Sequence, residues 1–486
     1  MVRSRYHRTS AERGCSENKH VEELPPDWSR HPLGLIGAVL AAASGTLVLG
    51  IFAIGLAGYE GSPYIGVIAY TVLPALFIAG LLFIPLGLWL EHRRVARLPP
   101  GGAAERPLPV FDLNRRSTRR RLVLVAGITV MNLFVIAVAG YKGVQVMDSP
   151  QFCGSCHSVM EPESVAHRGS PHARVACVEC HIGPGASWFV KSKLSGAWQV
   201  VSVAFHLYSR PIPTPVKNLR PARETCEQCH WPEKFVGNRV VLKARYDDDE
   251  KNTPKWTALL MRVGGGPAPQ NRGTHWHVMS GVRVRYRSDA RREQIGSIEA
   301  TLPDGEVRSY TAKGAPSATG PWREMDCLDC HNRPSHPFRL PEDEVDAAMT
   351  AGRLDPTLPF LHREAVKALK SDYASREAAL VSIRSALRGF YAASYPPVAS
   401  ARGASIDAAA RELGRIYAAN IWPRMKIGWN TYPSLLGHTA ATGCFRCHDE
   451  EHATKQGRTV SQDCSLCHQL LATDEPNPPI LKQIAP

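Results

Sequence analysis

The chain predicts a membrane α-helical anchor of three transmembrane helices, followed by a larger domain that is mainly helix and loop with a small antiparallel β insertion. Three observations carry this reading. Three long runs in the first third contain no charged residue, the rest of the chain repeats one cysteine-containing pentapeptide six times, and a stretch between two of those copies alternates with period two. At 486 residues, 44% hydrophobic and 21% charged, the composition excludes a disordered or fibrous chain and implies more than one structural unit.

The apolar runs are residues 33–59, 64–90 and 122–141, each long enough as a helix to cross the hydrocarbon core. A polar segment, residues 1–32, precedes the first, which is too long and too late for a signal peptide. Pro74 and Pro85 should kink the second helix, because each removes a backbone donor. Six Lys/Arg precede the first run and nine fill the loop 91–121, ending in Arg119-Arg120-Arg121, whereas Glu60–Pro63 carries none. Basic loops stay inside, so the amino terminus and the loop 91–121 are expected in the cytoplasm and everything after Tyr141 outside. The formal charge of +14 divides into +6 before residue 142 and +8 after it. The first excess flanks membrane spans, and acidic groups of a bound cofactor would offset the second, so no nucleic-acid partner is implied.

Beyond the anchor, residues 142–235 hold three copies of the pentapeptide. Residues 236–320 read as the β insertion: Val282-Arg283-Val284-Arg285-Tyr286-Arg287 alternates, and Pro303-Asp304-Gly305-Glu306 is a turn between two further strand-like runs. Residues 321–486 are helical and hold three more copies. Leu380, Ile383, Leu387 and Phe390 share one helix face, as do Ile406, Leu413 and Ile416, with Tyr395-Pro396-Pro397 as a break. The Pro-rich tail from Asp474 is expected to be loose. Copies 24, 49, 101, 117 and 20 residues apart exclude a solenoid.

The pentapeptide is Cys-x-x-Cys-His: Cys153/Cys156/His157, Cys177/Cys180/His181, Cys226/Cys229/His230, Cys327/Cys330/His331, Cys444/Cys447/His448 and Cys464/Cys467/His468. Chance would supply roughly 0.01 copies in a chain of this composition. Two cysteines three apart can form thioethers to the two vinyl groups of one porphyrin, and the adjacent histidine then meets the iron from the same side. Zinc sites pair Cys-x-x-Cys units with each other and need no histidine at the next position, and a redox dithiol is normally single. The motifs therefore predict six c-type haems, with the motif histidines as proximal iron ligands. With one motif per about 58 residues of the outer region, the haems are expected to form much of the core and the haem-free polypeptide to pack poorly.

Each low-spin haem needs a second axial ligand. After residue 141, nine histidines lie outside the motifs for at most six places, so at least three do other work. His172, His206, His275, His277, His336, His438 and His452 are the candidates, whereas His167 and His362 read as surface or core histidines. His336 and His452 lie too close to their own motifs to wrap around them and should reach neighbouring haems. His275 and His277, two apart, are expected on one strand face, with one of them ligating. Met160, three residues past His157, is a candidate thioether ligand.

A membrane helix running into Gln151-Phe152-Cys153-Gly154-Ser155-Cys156-His157-Ser158-Val159-Met160, followed by Ser170-Pro171-His172 and Cys177-Val178-Glu179-Cys180-His181, resembles the NapC/NirT family of membrane-anchored multihaem cytochromes. The likeness covers residues 122–235. It implies oxidation of quinol, with menaquinol the expected form, at the outer face of the bacterial cytoplasmic membrane. It further implies a first haem at Cys153/Cys156 with Met160 as the nearest equivalent of the family's methionine, and Lys191 or Lys193 beside the quinol pocket. The simplest members have one membrane helix and four haems, and their methionine stands one residue closer to the first motif histidine. The expected partners are the membrane, the quinol pool, and periplasmic cytochromes or a terminal reductase. Two other functions fit the same motifs: a terminal multihaem reductase of a small nitrogen or sulfur oxyanion, and an electron conduit fed by another membrane protein.

Overall fold

A computed structural model describes residues 31–56, 72–96, 112–155, 157–183, 186–216, 219–264, 273–314 and 320–484. The amino-terminal segment, the connections around residues 57–71 and 97–111, and Cys156 lie outside the described residues. The chain divides into a unit ending at Met147 and a second beginning at Asp148.

The first unit consists of three apolar helices, α1 (Pro32–Leu56), α2 (Leu73–Ala96) and α3 (Arg116–Met147), each long and apolar enough to cross a membrane. All three expected spans are present. The second helix runs through Glu91 to Ala96, and the third extends past both expected ends, because a helix need not stop where the hydrocarbon does. Pro74 occupies the second position of α2 as described and Pro85 lies inside it. Small residues bring α1 and α2 together: a Cβ on Gly80 would lie 2.7 Å from the backbone nitrogen of Ala41, and one on Gly87 2.6 Å from that of Gly34. Such close backbone approach replaces the hydrophobic driving force that lipid removes. At the basic end of α2, the Arg93 guanidinium stacks 3.9 Å over Trp89, a pairing suited to a headgroup boundary.

In the second unit, α4 (Pro150–Ser155), α5 (His157–Arg168), α6 (Cys177–His181), α7 (Ala186–Ala204) and α8 (Ala222–Cys226) carry or join the first three motifs. Two antiparallel sheets follow. One orders β1 (Gly237–Tyr246), β2 (Pro254–Gly264) and β8 (His468–Glu475); the other orders β6 (Arg323–Glu324), β3 (Arg283–Ser288), β4 (Ile295–Thr301), β5 (Val307–Ala312) and β7 (His452–Ala453). The alternation in β3 is real: Val284 faces Ala300 and Tyr286 faces Ile298, all buried. The turn expected at residues 303–306 closes β4 to β5, with Gly305 at a φ of +87° that a side chain would resist.

The β structure is not confined to residues 236–320. β7 and β8 come from the last haem-motif region and cover the open edges of β5 and β2, with His468 opposite Met261. An unpaired strand edge is an aggregation hazard, which later chain removes here. The tail is accordingly docked: β8 runs through Asp474, whose carboxylate accepts a 2.7 Å hydrogen bond from Arg245.

The helical spacer is a bundle of α9 (Pro341–Thr350), α10 (Leu361–Lys370), α11 (Arg376–Ser394), α12 (Pro396–Ala401) and α13 (Gly403–Asn420). Ile383, Leu387 and Tyr391 of α11 pack with Leu361 and Leu369 of α10 and with Ile406, Leu413 and Ile416 of α13, all essentially inaccessible. This bundle contains no motif and buries its own apolar side chains, so here the core is built by the polypeptide alone. Polar links tie it to the β1–β2 turn. Asn252 donates to the carbonyls of Pro356 (2.9 Å) and Leu358 (2.8 Å) and accepts from the His362 amide. Burial pushes the His362 imidazole down, but Asp346 (3.3 Å) and Asp248 (2.7 Å) outweigh that, leaving its pKa above 6.5. His362 is thus a core histidine.

Candidate functional site

The second to fifth motifs are each built on a single helical turn, and the sixth is a 3₁₀ turn over Cys464–Leu466 whose His468 opens β8. The His230, His331 and His448 amides donate to the carbonyls of Cys226, Cys327 and Cys444 at 2.8, 2.8 and 3.1 Å. Residues i, i+3 and i+4 of such a turn share one face, so both thiols and the imidazole present themselves together. Asp326 and Asp463 cap two of these turns, accepting from Leu328 and Ser465 at 2.9 Å. Among the described residues every cysteine is a free thiol, and no group of three or more His, Cys, Asp or Glu gathers as a metal cluster.

The structure gathers histidines in pairs instead. His336 lies with its ring centre 6.2 Å from that of His181, His172 6.1 Å from His230, and His275 6.4 Å from His331. His277 lies 5.8 Å from His448, and His438 6.2 Å from His468. Two imidazoles bound through nitrogen to one metal at about 2 Å each have ring centres about 6 Å apart. Five of the six motif histidines therefore face a second histidine at the separation one shared iron requires.

Hydrogen bonding selects the nitrogen left for the metal. Nδ1–H donates to a backbone carbonyl in His172 (Pro334, 3.3 Å), His275 (Val263, 2.9 Å), His277 (Thr274, 3.3 Å), His336 (Glu163, 2.9 Å) and His448 (Ser461, 2.7 Å). That fixes the tautomer and leaves the Nε2 lone pair, an arrangement common to histidine ligands. Burial, with the facing imidazole second, holds His277 down at about 4 and lowers His181 and His331. These rings are neutral and lone-pair-bearing at neutral pH, the form a metal needs. The donor set fits c-type haem.

Several sequence expectations change. His275 and His277 do not share a strand face: Trp276–Val278 is a 3₁₀ turn with His275 at its cap, and the two rings diverge to motif histidines of different copies. Each therefore faces a motif histidine of its own. His452 is fully engaged elsewhere, with Nδ1 2.9 Å from Asp449 and Nε2 3.0 Å from the Ile295 carbonyl, so it locks β7 to the sheet and meets no motif histidine. His206 lies exposed beside Tyr208, at a φ of +58°. His167 is buried, its ring centre 6.0 Å from that of His336.

The attachment cysteines, alike in the sequence, are not equivalent in the fold. Cys229 and Cys464 are exposed, whereas the other described motif cysteines are half-buried. Cys229 lies three residues past the end of α8, its amide donating to the Cys226 carbonyl at 3.1 Å, and His230 beside it is exposed as well. At this copy the polypeptide supplies the turn and the facing His172, and leaves Cys229 and His230 open. A thioether needs an accessible sulfur rather than a buried one, so exposure leaves the attachment chemistry intact.

Around the first motif, Met160 lies half-buried on α5, one helical turn after His157. The two lysines do not converge. Lys193 Nζ pairs with Asp148 at 3.1 Å, five residues before Cys153, whereas Lys191 Nζ lies 4.5 Å over the Trp188 ring. Asp148 went unnoticed in the sequence because a lone carboxylate after a span has no signature.

The motifs also neighbour one another in sequence order. The Cys153 side chain hydrogen-bonds Cys177 and holds that thiol at about 6, and α6 touches α8. The α8 helix touches the turn Cys327–Asp329, where the Cys226 and Cys327 side chains hydrogen-bond. Arg446, inside the fifth motif, donates to the backbone carbonyl of Asp329, inside the fourth, and to that of Arg292 at 2.6 Å. Phe445 then stacks 4.4 Å from His438, the histidine facing the sixth motif. Asp329 is itself a buried hub that no spacing announced, accepting from Tyr286 (2.5 Å), Arg323 (3.2 Å) and Arg292 (3.3 Å).

The profile described as "NapC/NirT cytochrome c family, N-terminal region" matches residues 115–211. Cytochrome c-type protein ImcH of Geobacter sulfurreducens is 40% identical over 458 residues, 92% of this chain and 89% of that protein. Cytochrome c-type protein TorC of Escherichia coli K12 is 26% identical over 223 residues, 43% of this chain and 56% of its own. Cytochrome c-type protein NrfH of Wolinella succinogenes is 35% identical over 113 residues, 22% of this chain and 62% of its own. No solved structure matches the chain. With three membrane-length helices, paired histidines facing Cys-x-x-Cys-His turns, and a relative aligned over nearly its whole length, the chain belongs to the NapC/NirT family of membrane-anchored multihaem c-type cytochromes.

Proposed function

We propose that the protein is a hexahaem cytochrome that oxidises quinol at the outer face of the cytoplasmic membrane and passes the electrons to periplasmic acceptors. The observation that carries this reading is the set of five histidine pairs at the separation of a shared iron, each built on a different motif. Bound haem supplies reversible one-electron chemistry. The chain's part is attachment through the twelve motif cysteines and axial ligation by the pairs His181/His336, His230/His172, His331/His275, His448/His277 and His468/His438. At the first motif, His157 is the proximal ligand and Met160 the candidate opposite it. Two histidines at each of these five motifs leave no open position there for a small oxyanion, which favours electron transfer over terminal reduction.

Quinol oxidation releases two electrons and two protons per molecule. Lys193 offers a cation to a quinol oxygen, and its partner Asp148 offers a carboxylate to accept a proton, five residues before the first attachment cysteine. Lysine and arginine on the amino-terminal segment and the loop 91–121 keep those parts in the cytoplasm, so the released protons leave on the other side. Purified protein in liposomes with a menaquinol analogue tests this. The expected result is haem reduction without any other protein, slowed in Lys193→Ala; no reduction in the absence of a partner would make the protein a conduit instead.

A further inference from the structure

Helix α7 is inside out for a helix in water. At 100° per residue, Val190, Leu194, Trp198 and Val201 form one stripe, which Phe205 continues just past the helix end. The stripe is exposed: Leu194 is 69%, Trp198 62% and Phe205 72% accessible. The opposite side is Ser192, Ser195, Gly196, Ser202 and Val203, and it is this small, largely polar side that is half-buried or buried against the protein. Lys191 and Lys193 flank the apolar stripe, one on each side. None of the six motifs lies on α7. A row of large apolar side chains turned outward on a stable helix marks a surface that something apolar covers.

We infer that α7 lies in the plane of the lipid surface, its Val190–Leu194–Trp198–Val201–Phe205 stripe inserted at the boundary between headgroups and acyl chains. The occupant follows from the chain itself. The protein is held at a bilayer by its own spans, and α7 begins 39 residues after α3 ends at Met147. Tryptophan and a flanking lysine beside an apolar stripe are the composition of an interfacial helix, the aromatic ring at headgroup depth and the Lys191 ammonium toward lipid phosphate, while Lys193 stays paired with Asp148. The neighbouring Leu207, 59% exposed, and Arg210, stacked 5.0 Å over Tyr208, extend the same mixture. The helix thus adds a second lipid contact to that of the spans, and this holds whatever the electron donor is.

The test uses the intact haem-loaded protein in nanodiscs of phosphatidylcholine and phosphatidylglycerol, doped with a lipid carrying a diazirine in its acyl chain. After irradiation, peptides covering 190–205 are expected to carry lipid adducts, as the spans do. In Leu194→Glu/Trp198→Glu those adducts should be lost while the span adducts and the visible haem spectrum stay as they were. An unlabelled α7 beside labelled spans in the unsubstituted protein would overturn the inference. So would a double variant that keeps its adducts but alters the haem spectrum, because the stripe would then be covering haem. The unsubstituted protein decides by itself if the double variant does not fold.

Discussion

Replacing His277 by alanine should convert one haem site in six from low-spin to high-spin and leave the others alone. The geometry sets that magnitude. The His277 ring lies 5.8 Å from His448, and its Nδ1 is already committed to the Thr274 carbonyl. Truncation therefore removes one Nε2 donor and nothing else that faces a metal. His275, only two residues earlier, faces His331 instead, so the fourth motif keeps its pair. Electron paramagnetic resonance of the oxidised protein, integrated against total haem, measures the change. Equivalent substitutions of His172, His275, His336 and His438 should each give the same one-site conversion. His452→Ala is the control. Both of its ring nitrogens are engaged by Asp449 and Ile295, so the variant should lose stability and keep its full low-spin complement. A His277→Ala protein with an unchanged low-spin signal, or a His452→Ala protein that gains a high-spin haem, would refute the ligand assignment.

Three further outcomes are expected. Leu413→Ala empties a fully buried position in the motif-free bundle and should cost about 3 kcal/mol in chemical denaturation without lowering haem content. His362, with a folded pKa raised above 6.5 by Asp346 and Asp248, contributes stability that is present below about pH 6.5 and lost as pH rises through the folded pKa; thermal melts from pH 6 to 8 should show this decline, and His362→Gln should flatten it. Asp329→Ala leaves Tyr286, Arg292 and Arg323 facing an empty buried site, a loss of about 3–5 kcal/mol for an uncompensated charge, and mass spectrometry should find the fourth haem missing or substoichiometric.

Much of this architecture was legible in the sequence because its signals are one-dimensional. Charge-free runs, the pentapeptide, the alternation in β3 and the apolar face of α13 each depend on neighbours in the chain, and the structure contains all of them. What was not legible depends on residues far apart. The spacing of His275 and His277 suits one strand face as well as a 3₁₀ turn, and only the fold shows the rings parting toward His331 and His448. His452 looked like a ligand by proximity to its motif, yet Asp449 and the Ile295 carbonyl, 157 residues away in the chain, claim both nitrogens. Six identical motif spacings likewise hide that Cys229 and Cys464 stand exposed, since burial is set by what packs against each turn. The Gln469-Leu470-Leu471-Ala472 run of β8 has no clean alternation, since its place is decided by the open edge of β2. Leu380 shares the apolar face of α11 with the buried Ile383 and Leu387 yet is 46% exposed, although it covers Gly414, where any side chain would collide with it. The outward stripe of α7 is invisible to periodicity, which finds an amphipathic helix without saying which side meets the protein.

The central claim is that every Cys-x-x-Cys-His turn carries a thioether-bound haem. Intact-mass measurement of the mature protein, paired with its pyridine haemochrome spectrum, tests it most directly. The account predicts a mass above that of the polypeptide by six haem increments, with the spectrum of haem bound through two thioethers. Fewer increments, or zinc recovered with free thiols, would contradict it.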